Sequence, residues 1–367
     1  MNINSRNMKA LFLTFAAVTA SFVAMAQNET KVIAGKYNEY AVSYLLPKTV
    51  VDVEIIAEQS VAKAGPYANY SQKYLGIPAN VTKDKESWKL VSATASARGV
   101  PDAETYYNVQ LKGGASPYVY LDKDGVLLSV NAEPKVDAAA LRPASTGKTA
   151  SPLDDNSYSL ALTEEMLLSG SNVKMAELAA KQIYRLRESR TDLITGDSDQ
   201  KPDGEALKIM LNQIDEQEKR LTAMFTGTVQ TRREVSHVTW IPESESDNVV
   251  VARISEKDGV VAKDDLSGTP LYISLGSVVR GEEPIDAKGN LLPMPKNAVM
   301  YNIPGEASVT LSYGGRDLSS SKLNLTQFGV KFGLNQSLFT DKKAPTYLIL
   351  YPQTGGIKEI GQNVKEQ

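Results

Sequence analysis

Residues 163–190 read T-E-E-M-L-L-S-G-S-N-V-K-M-A-E-L-A-A-K-Q-I-Y-R-L-R-E-S-R, and this stretch decides the fold class. Thr163 is a good helix N-cap, and Glu164 and Glu165 stand in the first turn, where the helix dipole favours acids. Gly170 marks a break. From Val173, the residues Ala176, Ala179 or Ala180, Ile183 and Leu186 keep an apolar stripe at helical spacing. Arg185, Arg187 and Arg190 fall at the C-terminal end, where cations suit the dipole. A second helix is expected over 203–225, its apolar face marked by Leu207, Met210, Leu211, Ile214, Leu221 and Met224, with Gly227 as its stop. The connection is short, which predicts an antiparallel helical hairpin.

On both sides of the hairpin the pattern changes to strands. Upstream, 40–47 is followed by 49–56, where Val51, Val53 and Ile55 alternate with Asp52 and Glu54, the period of a half-buried strand. A short helix over 67–75 is ended by Gly76 and Pro78. Strands are expected at 87–95, 106–111, 118–121 and 126–130, with Asp122-Lys-Asp-Gly125 as a turn. Downstream, they are expected at 229–233, 235–241, 248–254, 271–275, 298–303, 307–313, 323–331 and 347–351. Lys257-Asp-Gly259 and Asp286-Ala-Lys-Gly289 read as turns. The expected class is α+β: strand-rich N- and C-terminal blocks, antiparallel and sandwich-like, around a central helical hairpin. The organisation reads as a leader at 1–26, an N-terminal mainly-β block at 27–131 and a Pro-containing linker at 132–157. The hairpin at 158–227, a C-terminal mainly-β block at 228–360 and a tail at 361–367 complete it.

The leader carries an address. Arg6 and Lys9 precede an uncharged run from Ala10 to Ala26 that ends in the small-x-small pattern Ala24-Met25-Ala26, the order of a secretory signal peptide. The run is short for a span and contains several Ala, Thr and Ser. The expectation is cleavage and export to the periplasm, the outer-membrane region or beyond, with no transmembrane span in the mature chain.

Composition excludes much. Across 367 residues there are 40 Lys+Arg against 43 Asp+Glu, one His and no Cys. Without Cys there is no disulfide, thiolate metal site, Cys nucleophile or lipid anchor on an N-terminal Cys. One His excludes any site that needs two imidazoles. A formal net charge of -3 gives no reason to expect nucleic-acid binding. No cofactor, metal or catalytic residue is indicated, and the reading leans away from an enzyme. His237, in the strand expected at 235–241, has no G-x-S-x-G elbow to serve. Asp192, Asp197, Asp199 and Asp203 lack the spacing of a calcium loop. The Gly113-Gly114, Gly314-Gly315 and Gly355-Gly356 pairs fit turns or bulges and no phosphate loop. The 17 Tyr and two Trp fit sugar or protein contacts, and equally half-wet sheets, where a Tyr ring packs while its hydroxyl reaches water.

The most unusual constraint is the run Tyr184, Arg185, Arg187, Glu188 and Arg190, with Asp215, Glu216 and Glu218 on the second helix as balancing partners. It is the candidate interaction or structural network. The expected role is a non-enzymatic, partner-binding or assembly protein of the cell envelope, its partner another envelope protein. The alternatives are a metal-independent, carboxylate-based hydrolase of glycan or peptidoglycan, and a glycan or small-ligand binding protein.

The segment from Met175 to Arg190 resembles the signature of the domain-of-unknown-function family 4831. So do 203–211, 215–221 and Phe225-Thr-Gly227. Tyr44-Leu-Leu-Pro-Lys-Thr49, Gly65-Pro-Tyr-Ala-Asn-Tyr70, 74–77, Pro101-Asp102 and Gln327-Phe-Gly329 agree too. The resemblance implies an exported protein of the Bacteroidetes lineage and carries no activity, cofactor or catalytic residue to transfer.

Overall fold

The computed structural model describes residues 30–33, 42–111, 117–134, 149–150, 161–197 and 204–363. The expected signal peptide lies outside them, as do Gly113-Gly114, Asp199, Asp203 and most of the expected linker. The elements in chain order are β1 (Thr30–Ile33), β2 (Val42–Lys63), α1 (Ser71–Leu75), β3 (Lys85–Val109), β4 (Tyr118–Leu121), β5 (Leu127–Val130) and β6 (Thr149–Ala150). Next come the helices α2 (Glu164–Leu168), α3 (Asn172–Thr195) and α4 (Gly204–Thr226). The remaining strands are β7 (Thr228–Trp240), β8 (Ser246–Ser255), β9 (Gly259–Val261), β10 (Thr269–Val279), β11 (Ala298–Tyr313), β12 (Arg316–Asn335), β13 (Thr346–Leu350) and β14 (Ile357–Gln362).

The fold is the strand-rich α+β arrangement expected, with three antiparallel sheets. The first sheet has the order β3-β2-β7-β6, the second β12-β11-β10-β8-β9 and the third β1-β4-β5-β13-β14. Strands from before and after the hairpin share the first and third sheets: β2 pairs with β7, and β5 with β13.

The long strands each pass through two cores. In β2, Val42, Tyr44 and Leu46 belong to one core with Leu121, Val299, Phe332 and Leu348. Farther along, Val51, Val53, Ile55 and Ala57 enter a second core with Leu271, Ile273, Val309 and Leu311. That second core joins the inner faces of the first and second sheets, as in a β-sandwich. β11 makes the same passage from Val299 and Tyr301 to Ala307 and Val309.

The passage occurs at bulges. The β2–β3 register shifts between Leu45 and Pro47, and the β11–β12 register between Ile303 and Gly305. Pro47 pairs with Pro101, so neither strand loses a donor its partner requires. This corrects the strand boundaries. The expected breaks near Pro47, near Pro101 and at Pro304-Gly305 are bends inside single strands of 22, 25 and 16 residues. The expected break at Glu234 is also absent, because β7 is continuous from Thr228 to Trp240. β1, β9 and β14, which the periodicity does not reveal, complete the sheets.

A polar knot fills the bend. Asn302 donates its side-chain amide to the carbonyls of Pro47 (2.9 Å) and Thr354 (2.7 Å). The Thr49 amide donates to Thr326 Oγ1 at 2.9 Å, and its hydroxyl to the Gln353 carbonyl at 3.2 Å. A bulge leaves backbone groups unpaired, and burial makes an unpaired group costly, so these side chains take the missing partners. A Cβ on Gly329 would sit 2.1 Å from the Ile303 carbonyl oxygen, so the close approach of β12 to β11 requires glycine there.

Candidate functional site

The helical hairpin is seated by its root. Thr163 caps α2, accepting a hydrogen bond from the Met166 amide, and Gly170 (φ 62°) separates α2 from α3 as its sequence position suggests. Ala176, Ala179, Ala180, Ile183 and Leu186 of α3 pack with Leu221, Met224 and Phe225 of α4. The small alanines allow the helices to approach, and Tyr67, Leu75 and Met166 close the cluster. Tyr67 lies 5.4 Å from Phe225 between ring centroids. Its amide donates to the Met224 carbonyl at 2.8 Å, while the amides of Asn80 and Val81 both donate to the Thr226 carbonyl at 2.9 Å. Gly227 (φ 75°) ends α4 and turns the chain into β7.

The five residues of the candidate run are all exposed on α3, flanking the buried Leu186. Tyr184 donates its hydroxyl to the Tyr74 carbonyl at 3.0 Å, tying α3 to the end of α1. The Arg187 guanidinium stands 5.6 Å from the Tyr184 ring centroid and donates through Nε to Glu218 Oε1 at 2.6 Å. Arg190 pairs with Asp215 at 3.0 Å. The pairing order, 187 with 218 and 190 with 215, is that of antiparallel helices. Arg185 and Glu188 are exposed and make no ion pair among the described residues. Nearer the root, Glu177 pairs with Lys181 at 2.8 Å and Lys174 at 3.1 Å, and these hydrogen bonds, Lys181 first, hold its carboxyl below the usual range.

Beyond the root the hairpin has no fully buried side chain. From Arg187 to Thr195 and from Gly204 to Arg220 no residue is buried. Seventeen helical residues of α4 extend roughly 25 Å at 1.5 Å per residue. Leu193, Leu207, Leu211 and Ile214 are half-covered, while Ile194 is 62% exposed, Ile209 55% and Met210 36%. Met210 therefore stands at the rim of the apolar face to which its spacing assigns it. The exposed isoleucines are a feature that the helical stripe does not reveal.

The other candidates are dispersed. His237 is half-buried on β7, opposite Glu54 of β2, with no acid or nucleophile bonded to it among the described residues. Asp192 and Asp197 lie at the end of α3. No group of three or more His, Cys, Asp or Glu that could hold a metal ion occurs among the described residues. Trp88 and Trp240 both pack at the first sheet's core and form no exposed shelf. Gly314-Gly315 is the β11–β12 turn, with φ of 58° and 75°. Gly355-Gly356 belongs to the loop at the bend, where the Asn302 amide donates to the Gly355 carbonyl at 3.0 Å. Among the described residues no helix is long and apolar enough to cross a membrane.

Most of the stretches that carry the family resemblance meet at two seams, while 204–211 lies on the outer half of the hairpin. The 44–49 stretch, Pro101-Asp102 and 327–329 meet at the bend of the long strands, while 65–70, 74–77, 175–190 and 225–227 meet at the hairpin root. A family model described as a domain of unknown function (DUF4831) matches residues 22–358. No curated protein and no solved structure matches the chain.

Proposed function

The chain belongs to the domain-of-unknown-function family 4831, and from that premise we propose that it is an exported, non-enzymatic protein of the cell envelope that binds another envelope protein through its helical hairpin. The observation that carries this reading is the hairpin's outer half, in which no side chain is buried although the helices run on well past their root. A fold that needed the helices only for its own stability would gain little from that extension. Ordering a residue costs about 1–2 kcal/mol, which solvent-exposed turns do not recover by burial. The ion pairs Arg187–Glu218 and Arg190–Asp215 keep the two helices in register, while Tyr184, Arg185, Glu188 and the isoleucines of the tip supply aromatic, charged and apolar contacts. Arg and aromatic side chains are enriched at such interfaces. The order of Arg6, Lys9 and the uncharged run ending at Ala26 supports export.

Crosslinking and affinity purification from the native envelope tests the proposal. The wild-type chain is expected to retain a specific protein. The combined variant Arg185→Ser, Ile194→Ser, Ile209→Ser is expected to lose it while its circular dichroism and melting temperature stay unchanged. Retention of no protein above control, or equal retention by the variant, refutes the hairpin as a docking element.

A further inference from the structure

The outer face of the second sheet carries an open groove of about 530 Å³, remote in sequence from the hairpin. Its floor is formed by β10 and β11, where Leu271, Ile273 and Leu275 alternate inward with Ser274 and Gly276 outward, and Ala307, Val309 and Leu311 with Ser308 and Thr310. Its wall is the start of β8 and the residue before it, Glu245, Ser246 and Asp247. Two irregularities open the space. The β10 register shifts against β8 between Ile273 and Leu275, and against β11 between Gly276 and Val279. Ser277 and Asn248, neither of them glycine, both take φ of 53°. Such conformations cost energy and persist where surrounding structure imposes them.

We propose that this groove is a binding site for a neutral polyhydroxyl ligand, a short saccharide. Its lining contains two carboxylates and the hydroxyls of Ser274, Ser277, Ser308 and Thr310, with no Lys, Arg or His. An anionic ligand would meet Glu245 and Asp247 without a compensating cation. An apolar ligand would find only Leu275, which is buried at 2% exposure. A metal ion would find two carboxylates and no third strong ligand among the described residues. A sugar, by contrast, brings hydroxyls that both donate and accept, matching serine hydroxyls and acceptor-only carboxylates.

The carboxylates are held in place. Glu245 Oε1 accepts the Val278 amide at 3.3 Å, and Asp247 Oδ1 accepts the Ser274 hydroxyl at 2.9 Å. Each retains a second oxygen for a charge-assisted hydrogen bond from ligand. Ser246 stands opposite the inward-facing Leu275 and its hydroxyl is buried, so it offers the ligand no donor. Gly276 leaves the floor open: a Cβ there would meet nothing within 4 Å. With no aromatic side chain among the lining residues, the expected affinity is millimolar, about 4 kcal/mol of binding free energy.

The test is titration calorimetry with saturation-transfer NMR, using neutral trisaccharides of glucose, galactose, mannose and N-acetylglucosamine, and with trilysine, calcium chloride and inorganic phosphate as contrasting probes. At least one trisaccharide is expected to bind saturably at millimolar concentration. Gly276→Leu, which fills the floor, is expected to abolish the signal. The near-isosteric pair Glu245→Gln and Asp247→Asn is expected to weaken it about tenfold with an unchanged melting temperature, which keeps the test decisive if the leucine variant folds poorly. The proposal is overturned if none of the trisaccharides binds, if binding survives both sets of substitutions, or if trilysine or calcium occupies the groove in their place.

Discussion

The side-chain amide of Gln327 donates to the main-chain carbonyl of Thr49 at 2.5 Å, joining residues 278 positions apart at the bend where β2 and β12 pass between the two cores. The neighbouring Thr326 hydroxyl accepts the Thr49 amide at 2.9 Å, so both backbone groups of Thr49 are satisfied by β12 side chains.

Replacing Gln327 with Leu is therefore expected to destabilise the protein by about 1–3 kcal/mol, the cost of stranding a buried carbonyl. Urea denaturation reads the change as a lower midpoint with an unchanged slope. A loss below about 0.5 kcal/mol, the level of an ordinary surface substitution, would contradict the role assigned to the knot.

Asp52 and Arg98 form the second such link, across β2 and β3. Arg98 donates through Nε to Oδ2 at 2.5 Å and through Nη2 to Oδ1 at 3.1 Å, and the Thr239 hydroxyl of β7 adds a bond to Oδ1 at 2.7 Å. The pair is mostly covered, with side-chain exposures of 20% and 10%. Arg98→Met alone is expected to cost about 2–3 kcal/mol because it leaves a desolvated carboxylate. Adding Asp52→Val should recover most of that loss, since an apolar pair replaces a desolvated ionic one. Strictly additive losses in the double-mutant cycle would show that the two side chains are not coupled.

These links were unreadable in the sequence for a definite reason. The helices were legible because their signals are local: the Thr163 cap, the break at Gly170, the stripe from Ala176 to Leu186 and the stop at Gly227 each act within a turn or two. The acidic partners of Arg187 and Arg190 were legible too, since both helices belong to one short hairpin. Pro47, Pro101 and Pro304-Gly305, by contrast, carry the local signature of strand ends. Only the distant partner strand turns each into a bulge, and so merges two short segments into one long strand. The Tyr184–Tyr74 bond and the groove of serines from β8, β10 and β11 depend on the same non-local pairing and leave no periodic trace.

Tyr44 sets an alkaline limit. Its side chain is 2% exposed, and its hydroxyl accepts the Met300 amide at 2.6 Å. Burial pushes the phenol well above its ordinary value of 10. The folded state thus holds this proton more tightly than the unfolded state. The resulting stability is fully present below pH 10 and is lost as pH rises above 10 toward the folded value. Tyr67, Tyr107 and Tyr301 are shifted upward by burial as well and contribute in the same sense. Tyr44→Phe is expected to lower stability at neutral pH, because the Met300 amide loses its acceptor, and to flatten the alkaline decline. Denaturation at pH 8 and above 10 checks this: an equally steep decline in the variant would mean that Tyr44 does not drive it.

Gly65 controls whether the hairpin is seated on the sheets. A Cβ at this position would lie 2.2 Å from the Met224 carbonyl oxygen, 2.5 Å from its carbon and 2.8 Å from the Ala223 carbonyl oxygen. All three atoms are backbone, so no side chain can swing aside, and Gly65→Ala must part the 64–67 loop from the end of α4. That movement breaks the bond from the Tyr67 amide to the Met224 carbonyl and separates the Tyr67 and Phe225 rings. The cores of the long strands contain neither residue. Hydrogen exchange should therefore accelerate in α3 and α4 while amides of β2, β3, β11 and β12 stay protected, the pattern of a sub-global opening. The expected loss is about 2–4 kcal/mol at the root, in the range of forced overpacking and above. If the wild-type chain captures an envelope partner, Gly65→Ala should weaken that capture while leaving the groove on the second sheet intact. Uniform loss of protection across helices and sheets would show instead that hairpin and strands unfold as one unit, and that the root is no separable hinge.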